Sequence, residues 1–168
     1  GVDVFRVFDS LNWVENMRVA MDAVIEAGKV CEGTICYTGD MLDPSRAKYD
    51  LNYYVGMAKD LKKAGAHVLG LMDMAGLMKP ATASVLVKAL KEEVGVPIHF
   101  HTHDTAGVAC GTILAAAEAG VDAVDCAMDA LSGNTSQATL GTVVESLRHT
   151  ERDTRIDPAA VRQISDYW

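Results

Sequence analysis

No apolar run in the 168-residue chain approaches the roughly 18 residues a membrane helix needs, since the small-residue stretch 106–117 is cut by Glu118. No Lys/Arg cluster is interleaved with aromatics, which make up only 6% of the chain, so neither a membrane nor nucleic acid is an expected partner. The four cysteines, Cys31, Cys36, Cys110 and Cys126, show no Cys-x-x-Cys spacing and are too sparse for a disulfide framework. Reduced, packed thiols are expected. Cys31 and Cys36 are an odd number of positions apart, which on a strand puts them on opposite faces and argues against a shared ligand site. Around Gly107, Gly111 and Gly133 there is neither a Gly-x-Gly-x-x-Gly fingerprint nor a Gly-Lys-Ser/Thr ending, so a phosphate loop is not expected. The chain opens on Gly1 and runs directly into the apolar residues 2–8, which reads as a piece excised from a longer protein.

What is present reads as one soluble globular unit, with 49% hydrophobic and 23% charged residues and a net charge of −8 spread along the chain. A chain of this size can bury roughly 70% of its unfolded surface, enough for a core without disulfides or a structural metal. One pattern recurs: a helical stretch closes on glycine, two or three residues follow, and a β-rich apolar run ends in or near aspartate. It occurs at Gly1 with residues 2–9, Gly28 with 30–40, Gly65 with 67–73, Gly95 with 97–104, and Gly120 with 122–129. The glycine spacings of 27, 37, 30 and 25 residues each fit one βα unit.

The intervening segments are amphipathic. Leu51, Tyr54, Val55, Ala58 and Leu61 form a stripe after a predicted N-cap, Asp50; Val85, Leu86, Ala89 and Leu90 form another after Pro80. Trp13, Met17, Ala20, Met21 and Val24 form a third, with Asn12 and Glu15 at capping-box spacing. Met72, Met74 and Met78 read as core filler. Residues 150–155 are a charge run, expected to be a solvated loop, and Asp157-Pro158 opens a last helix with Val161, Ile164 and Trp168 on one side, cut off at Trp168. Strands alternating with helices should be parallel and joined by right-handed crossovers. Five such strands fit either an open doubly wound sheet or five consecutive units of an eight-unit barrel; polar residues at every strand's C-terminal end favour the barrel.

The sharpest local feature is Pro97-Ile98-His99-Phe100-His101-Thr102-His103-Asp104-Thr105. Positions i and i+2 of a strand share a face, so His101 and His103 should project together at the mouth of a barrel, where two neutral imidazoles suit a divalent transition metal. His99 shares their parity but lies deeper, in a structural or supporting role; Asp73, Asp104 and Thr105 are the other candidates for supporting the ligands or touching substrate. An aspartate after a strand is also a common helix cap, the expected role for most of Asp9, Asp40, Asp73 and Asp104. His67 sits at the wrong end of its strand, and His149 should be solvated. Arg6, within a strand, is placed to pair with a buried carboxylate or to serve the site.

Five motifs in order then resemble the carboxyltransferase domain of the pyruvate carboxylase family. They are Phe5-Arg6-Val7-Phe8-Asp9-Ser10-Leu11-Asn12, Thr34-Ile35-Cys36-Tyr37-Thr38-Gly39-Asp40, Asp73-Met74-Ala75-Gly76-Leu77 with Lys79-Pro80, His101-Thr102-His103-Asp104-Thr105, and Asp129-Ala130-Leu131-Ser132-Gly133-Asn134-Thr135-Ser136-Gln137. The resemblance implies that residues 1–168 are part of one (βα)8 barrel, supplying strands four to eight. It implies carboxyl transfer from carboxybiotin to pyruvate, giving oxaloacetate: carboxybiotin releases carbon dioxide, pyruvate loses a methyl proton, and the resulting enolate attacks. It further implies a divalent metal, Mn or Zn, held by His101 and His103; biotin on a carrier domain elsewhere in the parent; ATP used by another domain; and a homo-oligomeric parent, cytoplasmic or, in a eukaryote, mitochondrial. No catalytic residue carries over onto these positions.

At one position the chain departs from the family, which carries a lysine before the Asp-Met-Ala-Gly motif as a metal-bridging carbamate. Met72 stands here. Lys79 matches a different lysine of the family motif and does not replace it. A neutral, soft thioether in place of an anionic oxygen should weaken metal binding and slow turnover; the fragment, short of three barrel strands and of further ligands by the resemblance, is expected to be inactive alone. The alternatives are a barrel of the oxaloacetate decarboxylase α-subunit or transcarboxylase type, and a non-catalytic βα scaffold.

Overall fold

Five short strands and the helices between them follow the glycine repeat through a computed structural model that describes all 168 residues, Gly1–Trp168. The strands are β1 (Val4–Phe8), β2 (Val30–Cys36), β3 (Val68–Asp73), β4 (Ile98–Thr102) and β5 (Ala123–Val124). The helices are α1 (Val14–Glu26), α2 (Leu51–Lys63), α3 (Pro80–Glu93), α4 (Ala109–Glu118), α5 (Leu140–Leu147) and α6 (Pro158–Tyr167). No helix is long and apolar enough to cross a membrane. Just past the ends of α1 to α4, Gly28, Gly65, Gly95 and Gly120 take the left-handed backbone that residues with a Cβ avoid.

All neighbouring strands pair in parallel, in the order β1-β2-β3-β4-β5. A doubly wound sheet reverses direction at a switch point; a sheet that advances one way with right-handed crossovers puts every helix on the same side. Successive helices accordingly pack side by side, α1 on α2 through α4 on α5. The fold is α/β with the strand order of a partial (βα)8 barrel.

Curvature agrees with that order. Laid flat, β1 and β5 would lie about 19 Å apart, four spacings of about 4.8 Å. Yet the Arg6 guanidinium on β1 reaches the Asp125 carboxylate, just beyond β5, at 3.0 Å. Two side chains span that gap only when the sheet is rolled.

Strand parity divides the sheet into two chemically distinct faces. Cys31, Ile35, Leu69, Leu71, Ile98 and Phe100 point to the helices and pack among Met17, Met21, Tyr54, Leu61, Leu86, Leu90 and Ile113, all essentially solvent-free. Burial of each large apolar side chain there stabilises by about 1.5–3 kcal/mol. The opposite, concave face carries Arg6 in register with Glu32, Thr34 with Gly70, Gly70 with His99, and Met72 with His101.

Several local expectations shift. Asn12 is not the cap of α1: its backbone has a φ of 59° and its side chain bonds Cys36 N and O, tying the first loop to β2. Asp9 instead accepts from Leu11 N and Trp13 N. Helix α1 therefore starts one residue later, so its buried stripe is Val14, Met17, Met21 and Val24, with Trp13 and Ala20 exposed. In α3, Val87 is buried and Val85 exposed. Helix α6 buries Val161 alone, leaving Ile164 and Trp168 in solvent, and Trp168 lies just past the helix end. Strand β5 is much shorter than the predicted run 122–129 because the chain turns away after Asp125, whose N–H donates to Phe100 O. Asp50 caps α2 through Tyr53 N, and Asp157 caps α6 through Ala159 N.

All four cysteines are free, and burial pushes the Cys126 thiol up to about 12. At pH 8 its thiolate fraction should be roughly a thousandfold below that of an ordinary cysteine. We expect Cys126 to resist an aromatic disulfide reagent in the native protein and to react at once in denaturant; fast native labelling of Cys126, located by mass spectrometry, would contradict this.

Candidate metal centre

Alternation along β4 sends Phe100 into the helix layer and His99 and His101 to the concave face. The ladder continues one residue beyond the strand, where His103 N donates to Asp73 O, so His103 keeps the parity of His101. The two imidazoles meet with Nε2 atoms 3.0 Å apart. Each Nδ1 has its own partner: that of His103 lies 2.6 Å from the carbonyl oxygen of Thr135, that of His101 2.7 Å from Asp125 Oδ2. Thr135 belongs to the segment after α4, whose Ser136 carbonyl also accepts from Asp104 N.

Below the pair lies a compact charge cluster. Glu32 Oε1 is 2.5 Å from Arg6 Nε, and Glu32 Oε2 is 2.9 Å from His99 Nδ1. Asp125 Oδ1 is 2.7 Å from His99 Nε2, and Oδ2 is 3.0 Å from Arg6 Nη2. Both ring nitrogens of His99 face carboxylate oxygens, so both carry protons. Hydrogen bonds to Asp125 and Glu32 outweigh the burial that opposes the charge and push His99 up to about 9. Burial works against ionising Asp125, but hydrogen bonds from His101 and His99 prevail and hold it well below the usual carboxylate range. Two anions thus balance two cations over four strands. Gly70 makes room for them: a Cβ there would collide with Thr34 Oγ1 and stand 2.9 Å from Glu32 Oε1.

The other predicted residues separate. Met72 is buried in register with His101. Asp73, on the opposite parity, is fully buried and accepts from Leu77 N, Met78 N and Thr102 Oγ1; it holds the β3–α3 connection and touches neither His101 nor His103. Asp104 accepts from Ala109 N at the start of α4, a capping role, and Thr105 is exposed. His99 reaches His101 through Asp125 and, more distantly, through Arg6, whose Nη1 lies 3.5 Å from His101 Nδ1. His67 Nδ1 accepts from Cys31 N at the opposite end of the sheet, and His149 is exposed. Lys79 pairs with Asp40 at 2.5 Å on the surface. A hollow of about 670 Å³ along the β5 edge, lined by Val121, Val124, Leu140, Val143 and Ile156, holds none of the histidines.

Sequence reasoning missed Glu32 and Asp125. A charge inside the apolar run Val30-Cys31-Glu32-Gly33-Thr34-Ile35 is the signal that singles out Glu32; Asp125 has only its parity two residues beyond Ala123, which is in register with His99.

Each Nδ1 faces an oxygen, of Thr135 or of Asp125, which leaves the two Nε2 atoms turned toward each other as the nitrogens a cation between them would take. Ligands at about 2.1 Å stand about 3.0 Å apart at an octahedral right angle and about 3.4 Å apart at a tetrahedral one, so the 3.0 Å found is within reach of a shared cation. The pair fits a metal. It is also incomplete, because no group of three or more His, Cys, Asp or Glu side chains is arranged to hold one.

The sequence profile of the HMGL-like family matches residues 11–167. Pyruvate carboxylase of Bacillus subtilis is 51% identical over 168 residues, covering 100% of this chain and 15% of that protein. Mitochondrial pyruvate carboxylase of Mus musculus is 49% identical over 169 residues, covering 100% of the chain and 14% of the relative. The carboxyl transferase domain of Rhizobium etli pyruvate carboxylase, solved with pyruvate and biocytin, is 65% identical with a TM-score of 0.99, over 100% of this chain and 28% of that one. The chain thus spans about one seventh of the curated relatives it matches.

Proposed function

Because the chain belongs to the HMGL-like family, we propose that it is five units of a pyruvate carboxylase carboxyltransferase barrel, strands four to eight, and that residues 1–168 lie within that one domain. Its parent transfers a carboxyl group from carboxybiotin to pyruvate and releases oxaloacetate. The observation that carries this reading is the His101–His103 pair at the C-terminal end of β4, with Nε2 atoms 3.0 Å apart, on a chain so similar to a domain solved with pyruvate and biocytin.

The chain's own part is to present two nitrogen donors at the barrel mouth and to fix their direction. His101 and His103 would hold a divalent cation, Mn or Zn, which when bound polarises the oxygens of pyruvate and so favours loss of a methyl proton. The proton acceptor and the groups that grip pyruvate belong to other parts of the parent, as do the biotin carrier and the domain that uses ATP. The parent is read as a homo-oligomer of the bacterial cytoplasm, or of mitochondria in a eukaryote. The isolated chain, with two ligands and no third, is expected to be inactive.

The test is an assay of the complete, biotinylated protein with pyruvate, bicarbonate and ATP. Oxaloacetate formation that requires all three and is lost without the attached biotin supports the reading; sodium- or carrier-dependent oxaloacetate decarboxylation would assign the chain to the decarboxylase or transcarboxylase type. A second reading, a βα scaffold without catalysis, draws on Met72, and absence of both activities in a folded, biotinylated protein would favour it.

A further inference from the structure

We propose that Asp125 is a positioning residue for the cation, holding His101 in the one tautomer and ring orientation that aims Nε2 at His103. The proposal rests on the metal reading above and adds a residue that touches neither cation nor substrate.

An imidazole rotates about two torsions and carries its neutral proton on either nitrogen, so a histidine ligand needs something to decide both. Backbone parity decides only the face. For His103 the Thr135 carbonyl suffices, because a carbonyl oxygen can only accept and therefore demands Nδ1–H. For His101 no backbone acceptor is at hand; Asp125 Oδ2, at 2.7 Å from Nδ1, takes that place. An ionised carboxylate likewise only accepts, so the proton sits on Nδ1 and Nε2 keeps its lone pair; Arg6 Nη1, a donor 3.5 Å from the same Nδ1, is too far to displace the 2.7 Å bond.

The same carboxylate is itself clamped. Oδ1 faces His99 Nε2 and Oδ2 also receives Arg6 Nη2, while Glu32 holds the far side of both cations. Asp125 cannot swing away from His101 without leaving two positive groups short of a partner. Strand β5 contributes only two ladder residues, so this carboxylate, and not extended strand pairing, fixes the edge of the sheet against the ligand strand. The cluster converts the roll of the sheet into the aim of one nitrogen.

The experiment uses the complete protein in four versions: unaltered, Asp125→Asn, Glu32→Gln and Met72→Lys. Solid-state ¹⁵N spectra of histidine-labelled, metal-free protein, with the His101 signal identified by subtraction of a His101→Asn sample, report which nitrogen carries the proton. Nδ1–H in the unaltered protein, and a loss of that preference in Asp125→Asn but not in Glu32→Gln, is expected; Nε2–H in the unaltered protein overturns the proposal. Cobalt(II) affinity, read by chelator competition, should fall 10–100-fold in Asp125→Asn and by less than about threefold in Glu32→Gln, which keeps the volume of the cluster and one of the two hydrogen bonds Glu32 accepts, and leaves the bond from His101 to Asp125 in place. Equal losses in the two variants would mean that cluster charge, not the bond to His101, matters, and would also overturn it. Failure of cobalt to bind even with Met72→Lys would sink the metal reading of the preceding section, while the tautomer spectra would still decide the role of Asp125.

Discussion

Met72→Lys, introduced into the complete protein and assayed in bicarbonate buffer, should raise bound Mn or Zn and the rate of oxaloacetate formation at least ten- to hundredfold. Met72 lies in register with His101, one strand spacing of about 4.8 Å away, on the concave face that carries both histidine donors. In the family this chain resembles, that position brings a carbamate to the metal. A carbamate oxygen is anionic and hard; the Met72 thioether is neutral and soft and prefers cations such as Cu(I). Loss of groups that merely support a ligand costs 10–100-fold, so loss of a ligand should cost no less. Burial favours the neutral amine of the introduced lysine, the form that combines with carbon dioxide. Metal content by mass spectrometry and oxaloacetate by a coupled assay are the readouts; equal values for both proteins would defeat the argument.

Glu32→Ala should cost about 3 kcal/mol of stability, more than a hundredfold in the folding equilibrium. The substitution removes the acceptor for Arg6 Nε and His99 Nδ1 and leaves two cations facing each other across a concave surface, 3.1 Å apart at Arg6 Nη2 and His99 Nδ1. Breaking a fully buried pair by deleting one partner costs roughly 3–5 kcal/mol. The low end applies because the Arg6 and His99 side chains keep 26% and 22% of their surface in water, whereas Glu32 keeps 3%. Denaturant midpoints of the complete protein measure the effect on the barrel, and Glu32→Gln, which keeps one acceptor oxygen and the side-chain volume, should recover only part of it. A loss under 1 kcal/mol for the alanine variant would show that water substitutes for the carboxylate.

The repeat of glycine, apolar run and aspartate made the five strands legible, because each unit obeys local rules: a left-handed stop, a period of two, a capping carboxylate. The same alternation placed His101 and His103 together. Boundaries were less legible where tertiary bonds override local ones, as at Asn12, which left the capping position to join β2. The choice between a doubly wound sheet and a barrel could not be read from spacing; it rests on strand order and on curvature, both properties of the assembled sheet. The charge cluster was hidden for the same reason. Arg6, Glu32, His99 and Asp125 come from four separate strands or strand ends, and no spacing in the chain announces that they converge.

That convergence bears on how the molecule comes together in time. Arg6 and Asp125 stand 119 positions apart in the chain, whereas each strand pairs with the one next to it in sequence. Their contact is expected to form only after every intermediate unit is in place, since joining the two ends of so long a segment earlier would cost entropy with nothing yet gained. A link formed so late should slow escape from the native state while leaving the speed of reaching it nearly unchanged.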